Sequence, residues 1–305
     1  MEMGAGLGAD GAAGMPLVLG TTKLLGVIGD PIAHSLSPVM HNRAIAALGA
    51  DFVYVAFPIT AADLDVAIAG FRACGVVGFS VTIPHKRAIM PLLTAVADEA
   101  AALGAVNTVW WDGAINGWRG TNTDVAGLMG PLQSLRSHWN GEVATVLGCG
   151  GAARAAIAAC QKLGFERVRL VGRNEAQRSA IRADFLPPNP LACTIDGFGW
   201  DAIAAALDGA ALVVNATPVG MHPHGDNSPI APELWSHPQA GAIAYDLIYN
   251  PRPTKFLKDA QAAGLTAIDG LEMLAGQGAA ALSIWLGQPA PLAVMRQALI
   301  DHLGG

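Results

Sequence analysis

The sequence predicts an α/β chain of two lobes, and three observations carry that prediction. Strand-like and helix-like segments alternate along most of the chain with short connections, the pattern of parallel strands covered by helices. Apolar residues make up 52% and charged residues 14%, as expected when strands are buried on both faces and read as apolar runs. The 305 residues suit two domains at about 150 residues each. The same composition excludes intrinsic disorder, which needs low hydrophobicity and high charge.

In the first lobe, Lys23–Ile28 reads as a short apolar strand. Ser37 is expected to cap a helix opening at Pro38, a favoured first position. Phe52–Phe57 is the next strand, Ala61–Ala73 an amphipathic helix and Val76–Val81 a third strand. A short helix begins near Pro84, and Ala95–Leu103 is another. Val106–Trp111 and Ala114–Trp118 flank Asp112-Gly113, a two-residue hairpin turn, giving one antiparallel pair at a sheet edge.

The second lobe begins near Thr123 with a helix to about Trp139. Strand Val143–Leu147, helix Gly151–Leu163, strand Val168–Val171 and helix Glu175–Phe185 follow. Leu191–Ile195, Leu212–Asn215 and Ile243–Leu247 read as further strands of a doubly wound parallel sheet. Pro218–Pro238 is a long loop, and Gly270–His302 is a helical tail. No repeat recurs at a fixed period.

Charge and cysteine usage narrow the partners. The net charge is −6, from 18 basic and 24 acidic residues, and no Lys/Arg run marks a nucleic-acid footprint. Cys74, Cys149, Cys160 and Cys193 form no CxxC pair, and the eight histidines show no metal spacing. They read as reduced thiols of a cytoplasmic protein with no metal. The longest uncharged stretch, between Glu272 and Arg296, is broken by Gln277, Ser283, Gln288 and two prolines. It reads as two helices, not as a membrane span. Residues 1–20 lack a basic start and read as a flexible extension, not a secretory signal.

The strongest local motif is VATVLGCGGAARAAIAAC. Gly148, Gly150 and Ala153 match G-x-G-x-x-G/A between an apolar strand and a helix. Gly148 permits the tight turn, Gly150 lets a pyrophosphate approach, and Ala153 lets the helix pack on the sheet. The first helical residues, Gly151 and Ala152, present free N–H groups to phosphate. This half is therefore Rossmann-like. After the next strand, where an NAD site usually carries an acid, stands Gly172-Arg173-Asn174. The Arg173 guanidinium suits a 2′-phosphate, favouring NADP. Glu175, two residues on, suits a ribose and keeps NAD as the alternative.

Polar residues gather at the ends of first-lobe elements. Ser35 and Ser37 precede a helix, where two hydroxyls suit a small carboxylate. Ser37 alone reads equally as an N-cap. Thr82 and Lys86 lie just past a strand end, where open α/β sheets build their sites. Asn107 offers an amide, and Asn122, Thr123 and Asp124 stand at the junction of the lobes. Lys86 alone reads as a solvated charge, and Asp124 alone as a helix cap.

Taken together, HSLSPVMHN, VTIPHK, GAVNT, GTNTD, VLGCGGAARA, NATPVGM and DGLEML resemble, in order, the motifs of shikimate dehydrogenases. The resemblance runs from about Leu25 to the C-terminus. It implies reversible NADPH-dependent reduction of 3-dehydroshikimate to shikimate, on the route to chorismate and the aromatic amino acids. An NAD-linked quinate/shikimate dehydrogenase is the alternative, and a non-catalytic nucleotide-sensing module a more distant one. The resemblance implies Lys86 and Asp124 as the catalytic pair and Ser35 and Ser37 at the substrate carboxylate. Thr82 and Asn107 would hold ring hydroxyls, and Tyr249 and Gln277 match further substrate contacts. Thr217 and Val219 match the loop near the adenosine and nicotinamide ribose, and Leu247 and Gly270 positions lining the nicotinamide. With Gly148, Gly150, Gly151, Ala152, Ala153, Arg173 and Asn174 they complete the expected cofactor set. Residues 21–123 plus 275–305 are expected to form the substrate domain and 124–274 the nucleotide domain. The last helices are expected to cross back to the first lobe. A homodimer is the candidate assembly.

Overall fold

In a computed structural model of the protein, which describes residues 18–190 and 193–304, the chain is organised around two six-stranded sheets. The first holds β1 (Lys23–Gly29), β2 (Phe52–Pro58), β3 (Val76–Val81), β4 (Ala95–Val96), β5 (Thr108–Asp112) and β6 (Gly117–Thr121), in the order β2-β1-β3-β5-β6-β4. Only β5 runs against its neighbours. The second holds β7 (Val143–Leu147), β8 (Arg167–Val171), β9 (Thr194–Phe198), β10 (Leu212–Asn215), β11 (Ile243–Asp246) and β12 (Thr266–Ile268). Its order is β12-β11-β10-β7-β8-β9, with every pair parallel. From β7 the chain runs outward to β8 and β9, then returns to β10 on the other side. That reversal leaves a crevice beyond the carboxyl ends of β7 and β10, where such sheets bind ligands.

Eleven helices cover the sheets among the described residues: α1 (Ser37–Ala47), α2 (Leu64–Ala73), α3 (His85–Ala88), α4 (Asp98–Leu103), α5 (Asp124–Leu135), α6 (Gly151–Leu163), α7 (Glu175–Asp184), α8 (Ile203–Leu207), α9 (Lys255–Ala262), α10 (Gly270–Leu286) and α11 (Leu292–Leu303). The alanine-rich α6 buries Ala153, Ala155, Ala156, Ala158 and Ala159 completely. Small side chains let its backbone lie close to β7 and α5, which explains the high alanine content there.

Two helices join the lobes. α5 leaves β6 and leads to β7. α10 starts beside β11, where a Cβ built on Gly270 would lie 2.3 Å from the Leu247 carbonyl oxygen. It crosses α5, with a Cβ on Gly127 only 2.7 Å from Gln277 N, and ends on the first sheet. There the Trp285 ring covers Gly78 and its Nε1 donates to Val109 O at 3.0 Å. Seventeen residues span about 25 Å, enough to bridge both sheets. Leu271, Ala275, Leu282, Met295 and Leu299 share one apolar core with Leu25, Met40 and Ile45. The chain's last two helices therefore pack onto its first strands.

Several local expectations are corrected. Ser37 does not cap α1: it lies inside the first turn, Leu36 occupies the cap position, and no side chain caps the helix. Helix α2 starts at Leu64, after a turn in which Thr60 Oγ1 donates to Asp63 Oδ2 at 2.7 Å. Ala95 and Val96 form a strand beside β6, and α4 waits for Asp98 and Glu99, whose charges favour a helix N-terminus. Asp112 belongs to β5. Its Oδ1 accepts from Ala114 N at 2.9 Å and closes a longer turn, with Asn116 at φ +46°. The β5–β6 pair is interior, because β4 lies outside it. Helix α5 ends at Leu135, short of Trp139, and α7 at Asp184. The strand expected at Leu191–Ile195 is β9, Thr194–Phe198, where backbone pairing with β8 decides the register; Leu191 lies outside the described residues. Helices α8 and α9 and strand β12 were not anticipated. Of the expected N-terminal extension, residues 1–17 lie outside the described residues.

Candidate active site

Three chain segments converge beneath the first sheet's open end. Lys86 sits on α3, just past β3; Asn107 stands before β5; Asp124 opens α5. Backbone bonds set their spacing. Val106 N donates to Lys86 O at 2.9 Å, Asn107 N to Thr121 O at 3.1 Å, and Val81 N to Asn107 O at 2.7 Å. On that frame Lys86 Nζ donates to Asp124 Oδ2 at 2.5 Å. Asn107 Nδ2 donates to the other carboxylate oxygen at 2.7 Å, and Asn122 Oδ1 accepts from Asp124 N at 2.9 Å. The carboxylate is therefore fixed from both sides. Asn107 is itself held, since its Oδ1 accepts from Thr123 N at 2.7 Å and Thr108 Oγ1 at 2.9 Å. The Lys86 side chain keeps 20% exposure against 7% for Asp124. The ammonium thus has one face on the carboxylate and another toward the open cleft.

The remaining first-lobe residues surround this pair. Thr82 lies at the end of β3, its Cγ2 over Gly29, where a Cβ would come within 2.6 Å. Gln277 Oε1 approaches Asn107 Nδ2 at 3.4 Å from α10. Ser35 Oγ accepts from Ser37 N at 3.3 Å, so Ser35 engages the start of α1 while Ser37 is buried. Next to Ser37 lies a buried polar group. Tyr54 OH donates to Ser80 Oγ at 2.9 Å and also meets the Ser37 hydroxyl. Burial drives the Tyr54 phenol upward from its usual pKa. His41 stacks on the Tyr54 ring at 4.1 Å, and its Nδ1 donates to Ser37 O at 2.9 Å. Burial lowers the His41 pKa to about 4, which keeps the ring neutral. Tyr249 is half-buried and packs against the first-lobe core, and burial raises its phenol pKa.

Across the cleft the second lobe presents backbone. Gly148 has φ +107°, and a Cβ there would lie 2.8 Å from Ala216 O. Both facts demand glycine. A Cβ on Gly150 would meet nothing within 4 Å, so this side of the turn is open. Gly150 N-caps α6 with no side-chain bond. The N–H groups of Gly151 and Ala152 thus have no side-chain acceptor, and Ala153 is buried against the sheet. Unpaired donors at a helix N-terminus beside open space fit a dinucleotide's phosphates. The neighbouring 215–219 loop is tied down by Asn215. Its Oδ1 accepts from Thr217 N at 3.0 Å and Thr217 Oγ1 at 2.7 Å, and its Nδ2 donates to Val219 O at 3.2 Å. Leu247 N bonds Asn215 O at 3.1 Å, with Gly270 against Leu247.

At the far end of this crevice, Arg173 is exposed and has no side-chain bond or ion pair to the described residues. Asn174 caps α7, its Oδ1 accepting from Gln177 N at 3.2 Å. The Glu175 carboxylate is engaged by Arg178 and Ser179. The two lobes meet at the reactive end: a Cβ on Gly151 would lie 4.0 Å from Lys86 Cδ. The lysine and the glycine-rich turn face each other across one cleft. Among the described residues no cluster of three or more His, Cys, Asp or Glu is placed to hold a metal. No helix among them is long and apolar enough to cross a membrane.

Residues 27–109 match the family model of the shikimate dehydrogenase substrate binding domain, and residues 270–300 that of the shikimate 5′-dehydrogenase C-terminal domain. A shikimate dehydrogenase (NADP(+)) of Synechocystis sp. is 51% identical over 289 residues, covering 95% of this chain and 99% of the relative. The chain belongs to the shikimate dehydrogenase family. Its fold matches a shikimate dehydrogenase crystallised with NADP+, with a TM-score of 0.86, 33% identity and coverage of 95% of this chain and 99% of that one. It also matches the Listeria monocytogenes enzyme crystallised with shikimate and NAD, with a TM-score of 0.83, 30% identity and coverage of 94% and 100%.

Three further groups carry little signal in the sequence. Tyr54 and Ser80 are separated from Ser37 by 17 and 43 positions; pairing of β2 and β3 with β1, and packing of α1 on β2, join them. Asp246 is buried at the end of β11, accepting from Thr254 Oγ1 at 2.6 Å, Asn215 Nδ2 at 3.0 Å and Ile248 N at 3.1 Å. Burial raises its pKa to about 6 despite those donors. Its signal was an acid inside the apolar run IAYDLI, since such a residue is buried only with partners.

Proposed function

We infer that the protein is an NADP-dependent shikimate dehydrogenase reducing 3-dehydroshikimate to shikimate, a step toward chorismate and the aromatic amino acids. The observation carrying this reading is the Lys86–Asp124 pair, clamped by Asn107 and set against the glycine-rich turn. A nucleotide-sensing module has no use for a clamped ammonium at the reacting end of its cleft.

The proposed roles are those the family resemblance implies, and the convergence of these residues on one site supports them. Ser35 and Ser37 bind the substrate carboxylate, with Tyr54 and Ser80 orienting the Ser37 hydroxyl. Thr82 and Asn107 hold the ring hydroxyls, and Tyr249 and Gln277 make further substrate contacts. Gly148, Gly150, Gly151, Ala152 and Ala153 cradle the pyrophosphate, Arg173 and Asn174 the adenosine phosphate; Thr217 and Val219 lie near the adenosine and nicotinamide ribose, and Leu247 and Gly270 line the nicotinamide. NADPH, when bound, supplies a hydride to the carbonyl carbon, and the protein supplies position and charge. The Lys86 ammonium donates to the carbonyl oxygen, stabilises negative charge developing there and delivers the proton. Asp124 keeps Nζ in place and balances its charge, while Asn107 prevents the carboxylate from turning away. In oxidation the same lysine faces the shikimate hydroxyl and receives its proton.

We assign residues 21–123 plus 275–305 to the substrate domain and 124–274 to the nucleotide domain, a division supported by the shared core of α10, α11 and β1. A cytoplasmic location is the matching proposal, supported by four cysteines without disulfides. Initial rates with shikimate and quinate, each with NADP and NAD, test the reading. Shikimate with NADP is expected to give the highest kcat/KM; quinate with NAD giving the highest would replace it.

A further inference from the structure

Glu175 is the one acid in the Gly172–Gln177 turn, two residues past Arg173. A free carboxylate there would repel a 2′-phosphate and suit a ribose hydroxyl instead. In the structure that carboxylate is turned back along α7. One oxygen accepts from Arg178 Nη2 and the other from Ser179 Oγ at 3.1 Å. Arg178 is itself buried, with 8% exposure. Its stem runs beneath the strand ends, with Cγ 3.4 Å from a Cβ built on Gly172 and Cβ 3.7 Å from one built on Gly197. Its Nη1 donates to Gly172 O. One guanidinium therefore grips both the carbonyl just before Arg173 and the acid just after it. A planar fork of fixed donors suits two such acceptors, whereas a lysine would satisfy only one at a time.

We propose that Arg178 is a positioning residue for cofactor choice, withdrawing the Glu175 charge so that Arg173 meets a 2′-phosphate without a competing carboxylate. The proposal rests on the NADP reading above. It accounts for an acid standing close to the place where NAD sites carry one, in a chain about half identical to relatives named shikimate dehydrogenase (NADP(+)).

Calorimetric titration of the full chain with 2′-phospho-ADP-ribose and ADP-ribose tests this, because the two differ only in the 2′-phosphate and neither is turned over. The wild type is expected to prefer the phosphorylated ligand; absence of that preference would sink the NADP reading itself. Arg178→Met is expected to weaken the phosphorylated ligand about fivefold, the upper span of an exposed charge interaction, and ADP-ribose less than about twofold. Adding Glu175→Gln to Arg178→Met restores most of the lost affinity. Equal weakening of both ligands, or no restoration in the double variant, makes Arg178 a structural tether and overturns the proposal. Should Arg178→Met fail to fold, Glu175→Gln alone decides. With the Glu175 carboxylate, 71% exposed, already paired with Arg178, affinity for the phosphorylated ligand stays within about twofold of wild type. A gain of about fivefold or more overturns the proposal.

Discussion

Around Lys86 the cleft is lined by side chains that hold one another, whereas around Gly150 it is lined by backbone with side chains removed. The first wall depends on contacts between distant segments: Asn107 meets Asp124, and Lys86 reaches Asp124 across 38 positions. The second is one contiguous strand, turn and helix. Chemistry accounts for the difference. Proton transfer needs a charged group at a fixed point, and fixing it takes partners on every side. Phosphate binding needs N–H donors and space, which a helix N-terminus and glycines supply without partners. A side-chain wall should therefore lose function when one group is deleted, and a backbone wall when one group is added.

The largest expected effect is on the first wall. Lys86→Ala should lower turnover by about 10²- to 10⁴-fold, the usual worth of a general acid–base group. Shikimate affinity should change little, because charge on the reacting oxygen develops mainly in the transition state. Single-turnover rates and equilibrium titration with shikimate separate the two. Near-normal turnover would remove Lys86 from the chemistry and leave the Asp124 clamp unexplained.

The second wall is broken by addition. Gly148→Ala forces an alanine to φ +107° and drives its Cβ within 2.8 Å of Ala216 O. Backbone strain of about 1–3 kcal/mol is expected as lost folding stability, and up to that amount, about five- to 150-fold, as lost NADP affinity where the free loop moves to relieve it and must return on binding. Adding the same methyl at Gly150, where nothing lies within 4 Å, costs the free protein little. Titration of both variants with NADP, alongside thermal melts, tells them apart. Comparable loss of folded stability at both positions would refute the backbone account of this wall.

The contrast also explains what was legible in the sequence. The glycine-rich turn could be read because its determinants lie within one strand–turn–helix, and β3, β7, α6 and β10 matched their expected limits for the same reason. On the other wall, Lys86, Asn107 and Asp124 stood out by their places at strand ends, but their roles came through resemblance. That Asn107 clamps Asp124, and does not stand free in the cleft, came only from folding. Ser37 misled because a serine before an apolar helix looks like a cap, while its hydroxyl's partner, Tyr54, arrives on β2 and is itself bonded to Ser80 of β3. Helix α9 was invisible behind Pro251 and Pro253, although Thr254 Oγ1 accepts from Leu257 N at 3.4 Å as its cap. Strand β12 has three residues, too few to show a period.

An effect smaller than that of Lys86→Ala is expected from Arg173. One charge-assisted contact is worth roughly 1.5–3 kcal/mol. Arg173→Ala should therefore raise the KM for NADP at least about tenfold and leave NAD use almost unchanged. Equal weakening of both cofactors would mean that Arg173 only stacks on adenine, and would move cofactor choice elsewhere in the turn.

The last effect falls on stability and leaves turnover aside, and it separates the lobes by the sign of their response to pH. His41, in the first lobe, has its pKa lowered to about 4 by burial. The unfolded chain therefore binds a proton near pH 6.5 that the folded chain refuses, and stability falls as pH drops from about 6.5 to 4. Asp246, in the second, has its pKa raised to about 6 by burial. Here the folded chain holds a proton that the unfolded one releases, so stability rises as pH drops from about 6 toward 4. Between about pH 7.5 and 4.5 the two contributions are about 2–3 kcal/mol each and of opposite sign. His41→Phe keeps the stack on Tyr54 and removes the titrating group. Its unfolding free energy, measured in urea across that range, should decline less on acidification than that of the wild type, by about 2–3 kcal/mol. Asp246→Asn should do the reverse and steepen the acid loss. Parallel pH profiles for the wild type and both variants would show that neither buried group titrates on unfolding, and the opposition between the lobes would fall with them.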